Sequence, residues 1–182
     1  MAVRPAVFLD RDGTIIVDKH YLDTPMGIRY IDGVREGLTL LKKHGFRIFI
    51  VSNQSGVGRG YFSLEMLRRI NRQIELDIHS WGISIDAVEY CPHHPNERCS
   101  CRKPGTFMFE RLFHRFPDIR PEFSFMIGDS RRDVIAAHRA GMRAILLTDS
   151  PPDFEVEFYT PEFHRAAEWA ADEWAHLSGI RS

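Results

Sequence analysis

The sequence has no long apolar run and no excess of charge of one sign. Its apolar stretches fall short of the ~20 consecutive residues that a membrane-spanning helix needs, and its start, MAVRPAVFLDRDGT, lacks the apolar segment of a secretory signal peptide. A net charge of -1 argues against a broad basic surface for nucleic acid or an anionic membrane. We therefore expect a cytoplasmic protein that binds neither.

Cysteine is scarce, and its placement is informative. The chain has three cysteines, Cys91, Cys99 and Cys101, all within residues 91–101. An odd, clustered set in a cytosolic chain argues against disulfides and for a metal. Three thiolates and one imidazole, from His93 or His94, suit tetrahedral zinc and leave no position for water. The residues therefore predict a structural zinc loop and leave open which histidine completes it.

The chain also lacks internal repeats and low-complexity tracts. Apolar runs alternate with helical patterns, which is typical of a parallel sheet with helices on both faces. The predicted strands are residues 6–9, 46–51, 85–90, 123–127 and 144–147, and the predicted helices are residues 33–44, 63–80, 105–116 and 131–140. We expect one α/β domain over residues 1–182, with a helical tail over about 151–182.

The tail ends in a predicted amphipathic helix. Phe163, Ala167, Ala170, Trp174 and Leu177 share one face of it. That face either packs on the core or forms a dimer contact. We expect the first arrangement and a monomer, with a dimer as the alternative.

Two carboxylates stand two residues apart directly after the first predicted strand, in Asp10-Arg11-Asp12-Gly13-Thr14. Residues two apart in a strand point to the same face, so at a strand end both carboxylates can reach one site. A carboxylate can attack phosphorus and form an aspartyl-phosphate. A second can protonate the leaving oxygen and then deprotonate water. The pair favours phosphoryl transfer, with Asp10 as nucleophile and Asp12 as acid–base group.

This segment resembles the first motif of the haloacid dehalogenase superfamily, and three more segments resemble its other motifs in order. Ser52-Asn53 follows the second strand, Lys103 resembles the lysine of the third motif, and residues 128–133 resemble the G-D-x-x-x-D of the fourth. The resemblance spans roughly residues 6–148. It implies a Rossmann-like doubly wound sheet, and residues 13–33 leave room only for a small flap, not a large cap domain.

The resemblance implies a magnesium-dependent phosphatase. Mg²⁺ bound by Asp10, the Asp12 carbonyl and Asp129 would relieve the repulsion between the carboxylate and the phosphoryl group. Lys103 would add positive charge near the transferring oxygens. Ser52 would hydrogen-bond the phosphoryl group and orient it.

Further residues are predicted around this centre. Asp133 would support Lys103 or a magnesium-bound water. Asn53 and Arg102 are predicted to bind substrate, as are Asp18 and Tyr21 in the flap. The expected partner is a small phosphorylated metabolite, in particular a sugar bisphosphate.

The cysteine loop carries a second resemblance. C-x-H…C-x-C-R-K-P is similar to the zinc loop of heptose-bisphosphate phosphatases and of the histidinol-phosphatase domain, which favours His93 as the ligand. Residues 53–62 also resemble the heptose enzymes, whereas the loop's short length is similar to that of histidinol phosphatases. Ser130 stands where some heptose enzymes have a lysine. We expect heptose-bisphosphate hydrolysis, with histidinol-phosphate hydrolysis or a catalytically silent zinc-bearing binding module as alternatives.

Overall fold

The fold, taken from a computed structural model that describes residues 3–179, is built on six parallel strands. The strands are β1 (Arg4–Leu9), β2 (Arg47–Asn53), β3 (Ala87–Cys91), β4 (Ile119–Gly128), β5 (Arg143–Leu147) and β6 (Phe158–Thr160). Their order is β3-β2-β1-β4-β5-β6. The chain winds outward from β1 in both directions, so the topological switch point lies between β1 and β4. Ligands of such sheets bind beyond the carboxyl ends of the strands at that point.

Helices cover both faces of the sheet. They are α1 (Val34–Lys43), α2 (Ser55–Gly58), α3 (Leu64–Ser80), α4 (Phe107–Arg115), α5 (Arg131–Arg139) and α6 (Phe163–Ser178). Alternate residues of β1 enter different core clusters: Val7 and Leu9 pack with α1, α3 and α6, whereas Ala6 and Phe8 pack with α4 and α5. Strand β1 is thus buried on both faces, which explains why its sequence is continuously apolar. The predicted doubly wound α/β class is confirmed.

The predicted strands and helices all form, with shifted boundaries. Strand β3 includes Cys91 instead of ending before it, and Ser52 lies inside β2 rather than after it. Strand β4 starts at Ile119, because Ile119 pairs with Arg4 across an irregularity in the register. Ser63 caps α3 as expected, since its side chain accepts a hydrogen bond from the Met66 amide at 3.1 Å.

The tail holds a strand that the sequence did not predict. Strand β6 has three residues, too few for a periodic pattern, and pairs with β5 at the sheet edge. Helix α6 packs on α1, β4, β5 and β6, with Phe163, Ala167 and Ala170 buried. Gly37 of α1 allows this approach, because a side chain there would crowd the Phe163 ring. The expected packing of α6 on the core is confirmed. The predicted domain limits, residues 1 and 182, lie outside the described residues.

The connection between β1 and α1 is a small flap, as predicted. It contains a 3₁₀ turn, Pro25–Gly27, and two isolated bridges, in which Ile16 pairs with Asp12 and with Tyr30. Within residues 3–179, no helix has the length and apolar character to cross a membrane.

Candidate active site

A cavity of about 520 Å³ opens at the carboxyl ends of β1, β2 and β4. The first strand delivers Asp10, whose amide still donates to the Ile127 carbonyl of β4 at 3.0 Å. The lining includes every predicted site residue outside the cysteine loop: Asp10, Asp12, Asp18, Tyr21, Ser52, Asn53, Arg102, Lys103, Asp129 and Asp133. The topology therefore gathers residues that are far apart in sequence, as the strand-end pattern predicted.

Lys103 is the buried centre of the charge arrangement, with only 2% of its surface exposed. Its ammonium group donates to Asp10 Oδ1 at 2.9 Å, Asp133 Oδ1 at 2.7 Å and the Val51 carbonyl at 2.7 Å. Burial alone would lower the pKa of Lys103, but the two carboxylates outweigh it and hold the pKa above its ordinary value. A fixed positive charge therefore lies against Asp10.

Three carboxylates, from Asp10, Asp129 and Asp133, each place an oxygen within 4.8 Å of the others. Desolvation raises the pKa of Asp10 to about 7, despite the opposing attraction of Lys103. Desolvation, followed by repulsion from Asp133, raises the pKa of Asp129 to about 6. Clustered carboxylates that resist ionisation are a fitting site for a hard divalent cation with oxygen ligands.

Asp133 is committed to protein donors. Its Oδ1 pairs with Lys103, and its Oδ2 accepts from the Ser130 amide at 3.1 Å and the Ser130 hydroxyl at 2.7 Å. These contacts leave Asp10 and Asp129 as the carboxylates with room for a cation. The contact with Lys103 is one of the two expected of Asp133, and its supporting role stays a prediction.

Gly13 explains how the chain brings the backbone after Asp12 close to Asp129. It has a left-handed φ of 77°, and any side chain there would collide with the Asp129 carboxylate. The backbone therefore passes directly against Asp129, which suits the predicted use of the Asp12 carbonyl as a third cation ligand.

The carboxylate of Asp12 is held by two neighbours. Arg11 donates to both oxygens, from Nε to Oδ2 at 3.0 Å and from Nη2 to Oδ1 at 3.1 Å. Gln54 donates from Nε2 to Asp12 Oδ2 at 2.7 Å and to Ser52 Oγ at 2.6 Å. Because Ser52 Oγ already accepts from Gln54, its own hydrogen is free to donate, as the predicted phosphoryl contact requires.

Asn53 has a different placement from the one expected of a substrate ligand. Its side-chain amide donates to the Lys103 carbonyl at 3.0 Å, and its Oδ1 accepts from the Lys103 amide at 2.9 Å. The side chain thus clamps the backbone of Lys103 while lining the cavity. Its contact with substrate stays a prediction.

The mouth of the cavity combines flap residues with arginines. The Tyr21 ring packs edge-on against Tyr61 with centroids 4.6 Å apart, and the Asp18 carboxylate accepts from the His20 amide at 2.7 Å. The lining also includes Arg59, Arg102 and Arg132. The Nη1 atom of Arg102 is buried and has no hydrogen-bond partner among residues 3–179. A buried guanidinium nitrogen without a hydrogen-bond partner favours an anionic ligand.

The cysteine loop forms a second cluster of ligand atoms. His93 Nδ1 lies 3.1 Å from Cys101 Sγ, and Cys91 Sγ lies 3.5 Å from Cys99 Sγ. All four ligand atoms lie within 4.8 Å of one another. His94 turns away, and its Nδ1 accepts from the backbone amide of residue 96 instead. The structure therefore places His93, not His94, with the cysteines.

This cluster fits a soft cation such as zinc. Burial, followed by the hydrogen bond with Cys101, raises the pKa of the Cys91 thiol well above its ordinary value. An ionised sulphur at this position therefore needs a cation beside it. The cluster offers one imidazole and three sulphurs, which is the number and kind of ligands of a closed structural zinc site.

Three residues of the site were missed by sequence reasoning: Arg11, Gln54 and Asn71. Arg11 stands between two carboxylates and carries no separate signal in the sequence, and no pattern marks Gln54. Asn71 did carry a signal, because it interrupts the apolar stripe of α3 formed by Leu67, Ile70, Ile74 and Ile78. A polar side chain in such a stripe needs a buried partner.

Several known phosphatases are similar to this chain. Residues 100–151 match the family described as HAD-hydrolase-like. The D-glycero-beta-D-manno-heptose-1,7-bisphosphate 7-phosphatase of Escherichia coli is 35% identical over 182 residues, covering 95% of this chain and 91% of that protein. The enzyme of the same name from Photorhabdus laumondii is 38% identical over 162 residues, covering 84% of this chain and 86% of that protein. The chain belongs to this family of HAD phosphatases.

A solved structure is also similar to this chain in its fold. The D,D-heptose 1,7-bisphosphate phosphatase of B. bronchiseptica, complexed with magnesium and phosphate, superposes with a TM-score of 0.82 and 26% identity. The match covers 93% of this HAD phosphatase and 99% of that chain. The predicted superfamily and fold are therefore confirmed, and the roles of individual residues remain predictions.

Proposed function

We propose that this HAD phosphatase hydrolyses the 7-phosphate of a D-glycero-D-manno-heptose 1,7-bisphosphate through an aspartyl-phosphate on Asp10. The proposed chemistry rests on one observation: the Lys103 ammonium group forms ion pairs with both Asp10 and Asp133, and Asp129 lies beside them at the topological switch point. The relatives named for this reaction support the substrate. Phosphate charges keep such a metabolite from crossing membranes, so we place the enzyme in the cytoplasm.

In the first half-reaction, an Asp10 oxygen attacks phosphorus while the bond from phosphorus to the sugar oxygen breaks. Lys103 and the Ser52 hydroxyl orient the phosphoryl oxygens. Asp12 gives its proton to the leaving oxygen. Bound by Asp10, Asp129 and the Asp12 carbonyl, Mg²⁺ would offset the repulsion between the two anions.

In the second half-reaction, the ionised Asp12 takes a proton from water. The water oxygen attacks phosphorus, the bond from phosphorus to Asp10 breaks, and inorganic phosphate leaves. In the free enzyme Asp10 and Asp133 hold the pKa of Lys103 above its ordinary value, so Lys103 enters the reaction protonated. Asp10 returns to its starting state.

The charge at the cavity mouth favours a bisphosphate over histidinol phosphate. Arg59, Arg102 and Arg132 line the mouth and could receive a second phosphoryl group. Histidinol phosphate would instead bring an ammonium group toward these arginines, with Asp18 as the flap carboxylate that could attract it. A silent binding module is disfavoured because Asp10, Asp12 and Lys103 are all present and line one cavity.

The direct test compares kcat/KM for the two anomers of heptose 1,7-bisphosphate with kcat/KM for histidinol phosphate. We expect a preference for a bisphosphate anomer of at least about tenfold, since each lost charged contact is worth about 1.5–3 kcal/mol. Substituting Arg102→Met should reduce that preference and leave turnover of a simple alkyl phosphate within about threefold. A preference for histidinol phosphate would overturn the heptose assignment.

Magnesium binding should strengthen as pH rises from 5 to 8. The cation must displace protons from Asp10 and Asp129, whose pKa values are raised to about 7 and about 6. Below pH 6 both protons compete, so affinity should fall up to about a hundredfold per pH unit, and between 6 and 7 about tenfold. Calorimetric titration in buffers of different ionisation enthalpy would count the released protons.

Asp129→Asn is the matched variant for this titration, because it removes one of the two competing protons. Its magnesium affinity should be lower overall and should depend on pH through one proton only. An affinity that does not change between pH 5 and 8 in the wild-type enzyme would contradict this account of the site.

The cysteine cluster should hold one structural zinc. Its last ligand, Cys101, leads without a linker into Arg102 and Lys103, so the metal would order the substrate site without touching phosphorus. Cys99→Ser should lower the zinc content, destabilise the loop and raise KM, and added magnesium should not restore KM. Metal analysis of protein purified without added metal is the direct measurement.

Ser100→Ala is the control for the loop, because Ser100 is exposed and offers no ligand to the cluster. It should keep full zinc content and wild-type KM. Well below one zinc per chain in a fully active wild-type enzyme would rule out the structural zinc.

A further inference from the structure

We propose that Asn71, on helix α3, is a positioning residue for the acid–base step and acts on Asp12 through Arg11. The inference rests on the proposed function, since it takes Asp12 as the acid–base group. It adds a residue that lies outside the four motifs and outside the cavity lining.

Arg11 is almost fully buried, with 1% of its surface exposed, although it stands between the two catalytic carboxylates in sequence. An arginine keeps its charge in proteins, so burial is tolerable only if its donors are paired. Its partners are Asp12, Gln54 Oε1 at 2.8 Å and Asn71 Oδ1 at 2.9 Å. The guanidinium group is thereby fixed on both sides.

The contacts leave Asp12 one open position for a proton. Its Oδ2 accepts from Arg11 Nε and Gln54 Nε2, which fills both lone pairs. Among residues 3–179, its Oδ1 accepts a hydrogen bond only from Arg11 Nη2, and the side chain keeps 23% of its surface exposed. The remaining lone pair of Oδ1 is therefore the position from which the proton would reach the leaving oxygen.

Asn71 fixes Arg11 from the side opposite Asp12. It is 7% exposed on the apolar stripe of α3, and its oxygen must face Arg11, because a guanidinium group only donates. Without this acceptor, Nη1 would be left unpaired in the core, and Arg11 would move toward other acceptors. The two hydrogen bonds by which Arg11 orients the Asp12 carboxylate would then weaken.

Asn71→Leu removes the acceptor at similar volume and tests the proposal. Because Asp12 acts on the leaving oxygen, kcat/KM for an alkyl phosphate should fall about tenfold, and kcat/KM for p-nitrophenyl phosphate by less than about threefold. Asn71→Asp keeps an oxygen at the same place and should restore the ratio to within about twofold. Ile70→Val, on the same turn of α3, is the control and should leave the ratio unchanged.

A second measurement does not depend on turnover. In a double-mutant cycle of Asn71→Leu and Asp12→Asn, the shifts in unfolding midpoint should be non-additive, although the two side chains share no direct contact in the structure. Equal losses for both esters, or a ratio unchanged in folded Asn71→Leu, would overturn the proposal, as would additive midpoints. A wild-type enzyme without magnesium-dependent turnover on either ester would instead overturn the proposed function.

Discussion

Asp10→Asn should abolish turnover and leave the fold intact. The amide keeps the shape of the carboxylate but cannot attack phosphorus, so the covalent route is closed. We expect kcat to fall by at least about a thousandfold, in the range found when a catalytic nucleophile is removed. Steady-state assays with an alkyl phosphate, together with acid-quenched mass spectrometry for a phosphorylated Asp10 peptide, would measure this. The wild-type enzyme should yield that peptide and the variant should not.

The same substitution should stabilise the metal-free enzyme at neutral and alkaline pH. The pKa of Asp10 is raised from 3.8 to about 7 in the folded state, so the folded protein holds this proton more tightly than the unfolded chain does. Ionised Asp10 therefore weakens the fold increasingly as pH rises from about 4 through 7. Asp10→Asn removes that loss, and Lys103 retains Asp133 and the Val51 carbonyl as partners.

Asp32→Asn is the control for both measurements, because Asp32 is an exposed carboxylate outside the cavity lining. It should leave kcat and the unfolding midpoint unchanged. Near wild-type turnover in pure Asp10→Asn, after mass spectrometry has excluded deamidation back to aspartate, would contradict the covalent mechanism.

The sequence was sufficient for the parts of this fold that depend on short-range pattern. Buried strands followed by polar residues marked β1 and β4, and hence Asp10 and Asp129, because a strand covered on both faces must be continuously apolar. The three-residue strand β6 was not predictable in this way. Its place depends on pairing with β5 at the sheet edge, which no local pattern encodes.

The residues of the candidate site also differ in how far the sequence alone could predict them. The cysteines were found by their chemistry, and Lys103 was found by its resemblance to the lysine of the third motif, in order with the other three motifs. Residues that hold those groups were less visible: Gln54 was missed, and the contact of Asn53 with the Lys103 backbone was not anticipated. Their function lies in contacts between segments roughly 40 to 60 residues apart, which become visible only after folding.

The leaving-group dependence of Asp12→Asn separates the roles of the two carboxylates. An alkoxide leaves poorly without a proton, whereas p-nitrophenolate leaves without one. The substitution should therefore lower kcat/KM for an alkyl phosphate by on the order of a hundredfold or more, and much less for p-nitrophenyl phosphate. Hydrolysis of the aspartyl-phosphate also needs Asp12, now as a base, so the aryl ester should give a burst of one nitrophenolate per enzyme followed by slow turnover.

Asp12→Asn also disturbs the contacts with Arg11 and Gln54, because an amide at position 12 can accept hydrogen bonds with one oxygen only. One donor among Arg11 Nε, Arg11 Nη2 and Gln54 Nε2 would face the new NH₂ group. Asn71→Leu provides the comparison, since it weakens the hydrogen bonds from Arg11 to Asp12 but leaves Asp12 able to carry a proton. If Asp12→Asn lowered kcat/KM equally for both esters and produced no burst, Asp12 would be a structural anchor for Arg11 and not the acid–base group.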